Sequence, residues 1–222
     1  TMAHNIGTRM MGLPLLLGDY RDFEGRLPEL VKFNDAFTQT LGRVFTTLKR
    51  AKEMLLPDIK SLARVDIAAE IKRTLSLTLP QRSWSVECAE CPLEVNIDAH
   101  LFETALLEIV QNSRDAATEP ARLAISISIE PIRTPTYDSV TIVYKDNGPG
   151  VPEQFRLRIF EDFFSRRPGR KTGTGLGLGF ARRVVEAHGG EIVYHHTLGP
   201  GAAFVITLPR ARVNAETQED YY

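Results

Sequence analysis

Cysteine is scarce in this chain: Cys88 and Cys91 are the two it has in 222 residues. A disulfide scaffold of the kind that staples small secreted domains needs more. A four-ligand zinc site lacks its second cysteine pair. The spacing leaves a redox pair or half a metal site as the functional readings. The flanking Trp84, Val86, Val95 and Ile97 read as strand material. Two cysteines three apart in an extended strand lie roughly 10 Å apart and face opposite ways, so an unbridged pair is expected. Charge of one sign is lacking too. The 27 Lys and Arg nearly balance the 28 Asp and Glu, for a net −1, and nothing global favours nucleic acid or a membrane surface. No apolar run approaches the ~20 residues of a membrane span. Leu13 to Leu17 is short and contains Pro14, and no signal-peptide pattern opens the chain. A cytoplasmic segment is expected, whether or not a longer parent protein is membrane-anchored.

Hydrophobic residues make up 43% and charged residues 25%, ordinary for a soluble globular protein of one large or two small domains. Residues 4 to 20 carry a helical stripe of Ile6, Met10, Leu13 and Leu17, weakened by Gly7, Gly12 and Pro14. Leu27 to Leu56 is a stronger helix. Leu30, Phe37, Val44 and Ala51 recur every seven residues, and so do Asn34, Leu41, Leu48 and Leu55. These are heptad positions of a helix-on-helix seam, although a single amphipathic helix lying on a core has the same pattern. The seam predicts a helical hairpin over residues 1–60 that pairs with a second copy into a four-helix bundle. Pro57 to Arg64 reads as a linker.

A second region, 65–209, mixes periods. Helices are predicted over Asp66–Leu77, Leu101–Ala117 with Asp98 as N-cap, and 176–188, stopping at Gly189-Gly190. Strands are predicted over Ser83–Val95, Leu123–Pro131, Ser139–Tyr144, Glu191–His196 and Ala202–Leu208, the last two joined by a Gly-Pro-Gly turn. The class is α+β, a two-layer sandwich with a mixed, mostly antiparallel sheet. Residues 210–222 form a polar tail.

The chemistry concentrates between residues 146 and 177. Asp146-Asn147-Gly148-Pro149-Gly150 and Gly173-Thr174-Gly175-Leu176-Gly177 are glycine-rich turns, and glycine lets a ligand lie close to the main chain. Between them stand Phe160, Phe163 and Phe164 with Arg158, Arg166, Arg167, Arg170 and Lys171. The second turn opens a helix, whose first N–H groups and partial positive charge attract phosphate. Upstream, Glu108, Asn112 and Asp115 share one helix face at i, i+4 and i+7. Asn112 offers a neutral oxygen suited to Mg²⁺.

Taken in order, these motifs resemble the GHKL ATP-binding superfamily over residues 65–209. Glu108-Ile-Val-Gln-Asn112-Ser-Arg-Asp115 is similar to its N box, Asp146 to Gly150 to its first glycine box, Ile159 to Phe164 to the F box of histidine kinases, and Gly173 to Leu178 to the second glycine box. The resemblance implies an ATP-Mg²⁺ site. Asn112 would hold the metal and Asp146 the adenine amino group. Asp115, Gly148, Gly150, Phe160, Arg167, Lys171, Gly173, Thr174, Gly175, Leu176 and Gly177 complete the pocket and its lid. The three phenylalanines are expected to anchor the lid.

Met2-Ala-His4-Asn-Ile-Gly-Thr8 resembles the H box of histidine kinases, which implies phosphorylation of His4 and transfer to an aspartate of a response regulator. By the same resemblance Thr8 matches the position that assists removal of phosphate from that regulator. Asn5 and Arg9 depart from the pattern, which has an acidic residue and a proline there; an amide cannot serve as base. Glu108 also departs, standing where histidine kinases commonly have Asn and the superfamily's ATPases a catalytic Glu. It is the candidate base toward water or His4. The expectation is therefore an ATP-dependent protein-histidine kinase fragment that forms a homodimer and meets neither nucleic acid nor membrane. A phosphotransfer or scaffold protein without autokinase activity, and an ATPase or serine kinase using Glu108, are the alternatives.

Overall fold

The structure is a computed structural model that describes residues 37–42, 54–55, 57–134, 138–164 and 175–211. The chain divides into two compact units, 1–53 and 54–222. In the first, residues 37–42 are helical, within the long helix expected over 27–56. The helix over 4–20, the rest of the hairpin and its pairing lie outside the described residues.

The second unit begins with Met54 and Leu55, also helical. Strand β1 (Ala63–Asp66) pairs antiparallel with β3 (Glu94–Ile97) as a two-stranded ribbon. It occupies the end of the expected linker. Helix α1 (Ile67–Thr78) follows directly, with the Asp66 carboxylate accepting from Ala68 N as N-cap. Strand β2 (Trp84–Cys88), helix α2 (Ala99–Ala116), β4 (Ile125–Arg133), β5 (Asp138–Asp146), helix α3 (Gly177–Ala187), β6 (Glu191–Tyr194) and β7 (Ala203–Pro209) complete it. The five-stranded sheet has the order β2-β4-β5-β7-β6. Only β2 and β4 run parallel, joined across the helix α2.

The period-2 pattern explains the layer. Ile125, Ile127 and Ile129 of β4, Val140, Ile142 and Tyr144 of β5, and Phe204, Ile206 and Leu208 of β7 are all buried. Ser126 and Glu130, between them in sequence, are exposed. The helices cover this face with Ile67, Ile71 and Leu75, then Phe102, Leu106, Ile109 and Val110, then Phe180, Val184 and Val185. Each such side chain contributes roughly 1.5–3 kcal/mol by leaving water. The register sets Asp146 opposite Ile125, so the row of apolar side chains on β5 ends in one buried carboxylate.

The far ends of the helices are tied by His188. Its Nε2 accepts from Asp98 N at 2.8 Å, and its Nδ1 lies 2.7 Å from the Val184 carbonyl. The first contact makes Nε2 an acceptor, so Nδ1 carries the proton and donates to Val184. Asp98 caps α2 by accepting from Leu101 N, and it also accepts from Lys60 N and Ser61 N. Burial alone would push the Asp98 carboxyl up. The N–H groups of Leu101, Lys60, Ser61 and His100 outweigh that and hold it below the usual carboxylate range.

One expectation fails in segment 83–95. It is two strands in two sheets, not one. The ladder with β4 ends at Cys88, after which Ala89 N still bonds Ile129 O, and the chain bends through Ala89, Glu90 and Cys91. Pro92 has no N–H with which to continue a ladder. The bend brings the two cysteine α-carbons to 6.3 Å, and their sulfurs are bonded. The unbridged pair was deduced from an extended backbone that the chain does not adopt here.

Candidate functional site

Asp146 lies where β5 leaves the sheet, and it is 7% exposed. Three donors converge on its carboxylate. Oδ1 accepts from Gly148 N and from Ala202 N, both at 2.9 Å, and Oδ2 accepts from Ser113 Oγ at 2.5 Å. Gly201 makes this approach possible. A β-carbon there would run into the carbonyl and carboxylate oxygens of Asp146. The next residue, Asn147, steadies the turn through its side chain, accepting from Ala124 N and donating to Arg122 O.

Helix α2 brings the second group. Asn112 Nδ2 donates to the Glu108 carbonyl at 2.8 Å, and Gln111 Nε2 donates to Asp115 Oδ1 at 2.7 Å. The start of α3 rests on this face: a β-carbon at Gly177 would overlap Glu108 Oε2 and lie 3.5 Å from Asn112 Nδ2. The Glu108 carboxylate therefore sits against the first residue of α3. Gly175 (φ +69) packs equally close to the F-box main chain, where its β-carbon would lie 2.5 Å from the Phe163 carbonyl carbon. Leu176 is 1% exposed, so its side chain belongs to the core and only its main chain is left for a ligand.

The F-box aromatics divide. Phe160 stands edge-on to Phe204 at 6.2 Å, and Phe164 packs on Phe155 at 5.6 Å beneath the Arg158 guanidinium. These two anchor the segment as expected. Phe163 does not: it has φ 61 and is 67% exposed. A left-handed residue turns its side chain out of the line its neighbours follow.

The structure thus brings together Glu108, Asn112, Asp146, Gly148, Gly175, Gly177 and the F box. His4, Thr8, Arg167, Lys171, Gly173 and Thr174 lie outside the described residues. Sequence reasoning missed Ser113, Tyr144 and Gly201. Tyr144 is wholly buried, and its hydroxyl is 2.8 Å from Ser113 Oγ. Burial pushes its phenol well up; the Ser113 hydrogen bond opposes this and the nearby Asp146 charge adds to it. Ser113 was the one hydroxyl on the apolar stripe of α2, a signal that was legible. Gly201 reads in the sequence as an ordinary turn residue.

Comparison with known proteins agrees with this geometry. Residues 97–212, more than half of the chain, match the family model described as histidine kinase-, DNA gyrase B-, and HSP90-like ATPase, and the chain belongs to that family. It is similar to the C4-dicarboxylate transport sensor protein DctS of Rhodobacter capsulatus, with 26% identity over 94% of this chain and 32% of that protein. The chain thus spans about a third of that relative's length. Among solved structures, the nucleotide-free catalytic domain of histidine kinase ThkA aligns with a TM-score of 0.57 and 25% identity, over 68% of this chain and 97% of that one. ThkA in complex with response regulator protein TrrA aligns at 0.59 over 95% of this chain and 61% of that one. At 22% identity, that second likeness is one of fold. Residues 97–212 are a histidine kinase-type, ATP-binding catalytic domain.

Proposed function

We propose that the chain is the catalytic end of a sensor histidine kinase that uses ATP-Mg²⁺ to phosphorylate His4 and passes the phosphoryl group to an aspartate of a response regulator. The observation that carries the reading is the Asp146 carboxylate, buried at a sheet end and held by two main-chain N–H groups and one hydroxyl. A charged acceptor so fixed selects a ligand that offers an N–H, as the adenine 6-amino group does. One such bond contributes roughly 1.5–3 kcal/mol, or about ten- to hundredfold in affinity.

The residues fit the remaining groups. The main-chain N–H groups from Gly175 into α3 suit phosphates, and the missing β-carbons at 175 and 177 let this stretch pack against the Phe163 main chain and the Glu108 carboxylate. Asn112 would hold Mg²⁺, a cation that needs few protein ligands because it keeps waters and shares phosphate oxygens. Its contribution would be to neutralise charge on the transferring phosphoryl group. Arg167, Lys171, Gly173 and Thr174 are proposed to close the lid, and Thr8 to assist removal of phosphate from the regulator. We take the chain to act as a homodimer through residues 1–60, in the cytoplasm.

A second reading rests on one observation. Glu108, the acidic departure from the kinase pattern, has its carboxylate against Gly177 at the start of α3. That is within the proposed phosphate space, where a base could act on water or on a serine hydroxyl. Incubation of the full chain with γ-labelled ATP and Mg²⁺ separates the readings. The kinase reading expects acid-labile label on the protein that disappears in His4→Gln. Phosphate release with no label on His4 favours Glu108 as the base of an ATPase. Absence of both leaves the scaffold reading.

A further inference from the structure

The hydrogen bonds around Asp146 impose a direction. A carboxylate oxygen has two acceptor positions. Gly148 N and Ala202 N fill both on Oδ1, so a ligand N–H must be received by Oδ2, the oxygen Ser113 already holds. Ser113 has one hydroxyl proton. Asp146 takes it at 2.5 Å, so the 2.8 Å contact with Tyr144 is a bond that Tyr144 donates. The chain runs Tyr144 to Ser113 to Asp146, and each bond polarises the next.

Ser113 also has an alternative. The Ile109 carbonyl one turn back on α2 lies 3.4 Å from its hydroxyl, the usual refuge of a serine in a helix. All three contacts are made by one position of Ser113 Oγ, so the Tyr144 hydroxyl, held at the core face of β5 and wholly buried, acts by donating to that oxygen and leaving its proton directed to Asp146 instead of Ile109.

We infer that Ser113 and Tyr144 are positioning residues for base recognition: Tyr144 locks Ser113, and Ser113 orients Asp146 Oδ2 as the acceptor that reads the amino group of a 6-aminopurine nucleotide. The inference rests on the nucleotide reading of the site and deepens it. Both residues are buried behind the Asp146 carboxylate, so their removal acts on selectivity through Asp146. A residue needed only for packing would weaken all nucleotides alike.

The experiment is calorimetry on the full chain with Mg²⁺, comparing ADP with the purine riboside diphosphate that lacks the 6-amino group. The ratio of the two dissociation constants measures the amino contribution. Losing one hydrogen bond to a charged group predicts that the ratio falls roughly tenfold in Ser113→Ala. In Tyr144→Phe, which keeps the ring, the prediction is a smaller fall of about threefold, because Ser113 remains but is free to turn. Because Tyr144 acts through Ser113, the double variant should match Ser113→Ala rather than add to it. Equal weakening toward both ligands in both variants, or additive effects in the double variant, overturns the inference while leaving the nucleotide site in place. If Ser113→Ala fails to fold, an unchanged ratio in Tyr144→Phe overturns it alone. Wild-type protein that binds neither ligand overturns the nucleotide reading and this inference with it.

Discussion

Arg183 of α3 donates to the Asp162 carboxylate at 2.7 Å, and so fastens the F box to the helix that the second glycine turn opens. The same guanidinium donates through Nε and Nη2 to the Met54 carbonyl, at the point where the second unit begins. The two roles differ in energy. The ion pair is partly exposed, and such pairs contribute at most about 1 kcal/mol. The Met54 carbonyl receives two charged donors that water replaces poorly once the backbone is packed. Arg183→Met should therefore destabilise the protein by about 1–3 kcal/mol, and Asp162→Asn by less than about 1 kcal/mol. Urea unfolding of the two variants checks the order. Lysine at 183 should fall short of wild type, since one ammonium cannot reproduce the fork.

His188→Ala should cost more. It removes the acceptor of Asp98 N–H and the imidazole donor to Val184 C=O, a carbonyl that keeps its bond from the main-chain N–H of residue 188. One buried N–H left unpaired costs about 1–3 kcal/mol and the space vacated by the buried imidazole adds to it, so a loss of about 2–5 kcal/mol is expected in denaturant melts. The α2 N-terminus and the α3 C-terminus should then be the amides whose hydrogen exchange accelerates first.

The Asp98 carboxyl carries a pH signature. Its folded-state value is lowered, with the burial penalty exceeded by four N–H donors. A lowered carboxyl stabilises the fold at pH values above the unfolded value of about 3.9, and that contribution is lost as pH falls through the folded value. Asp98→Asn should therefore be less stable than wild type at pH 7, with the gap closing below about pH 4. Parallel stability-versus-pH curves for the two proteins would contradict the assignment.

What could be read in the sequence was what local chemistry dictates. Asp98 announced its helix because an acceptor must meet the first free N–H groups. The isoleucine alternation of β4 announced a half-buried strand. Asp146 stood out because Asp146 to Gly150 resembles a glycine box; an aspartate before a glycine is otherwise a common turn former. Ser113 is legible as a lone hydroxyl on an apolar stripe, but its partnership with Tyr144 is not, because that depends on the register of β5 under α2, 31 residues apart in sequence. The cysteine pair was misread for the opposite reason. Its geometry was deduced from local strand character that stops at Cys88, and the bend that follows is decided by how β2 and β3 part into separate sheets. Phe163 failed in the same way: its residue type suits an anchor, but its φ does not.

Two glycines at the site predict opposite outcomes for one substitution. At Gly201 an added methyl meets the Asp146 main-chain oxygen, which the pairing of β5 holds in place. Gly201→Ala should lose stability at the upper end of the ~1–3 kcal/mol typical of overpacking, and nucleotide binding with it. At Gly177 the methyl meets Glu108 Oε2, the far end of a flexible side chain that can swing away. Gly177→Ala should therefore melt within a few degrees of wild type, since alanine is also the better helix former by ~1 kcal/mol. Its cost should fall on chemistry, because the Glu108 carboxylate is pushed off the start of α3. Thermal melts and ATP turnover on both variants test the contrast. A Gly177→Ala protein with wild-type melting and wild-type turnover shows that the place Glu108 takes against α3 has no part in the reaction. The second reading of the site then loses its base, and His4 is left as the acceptor to test.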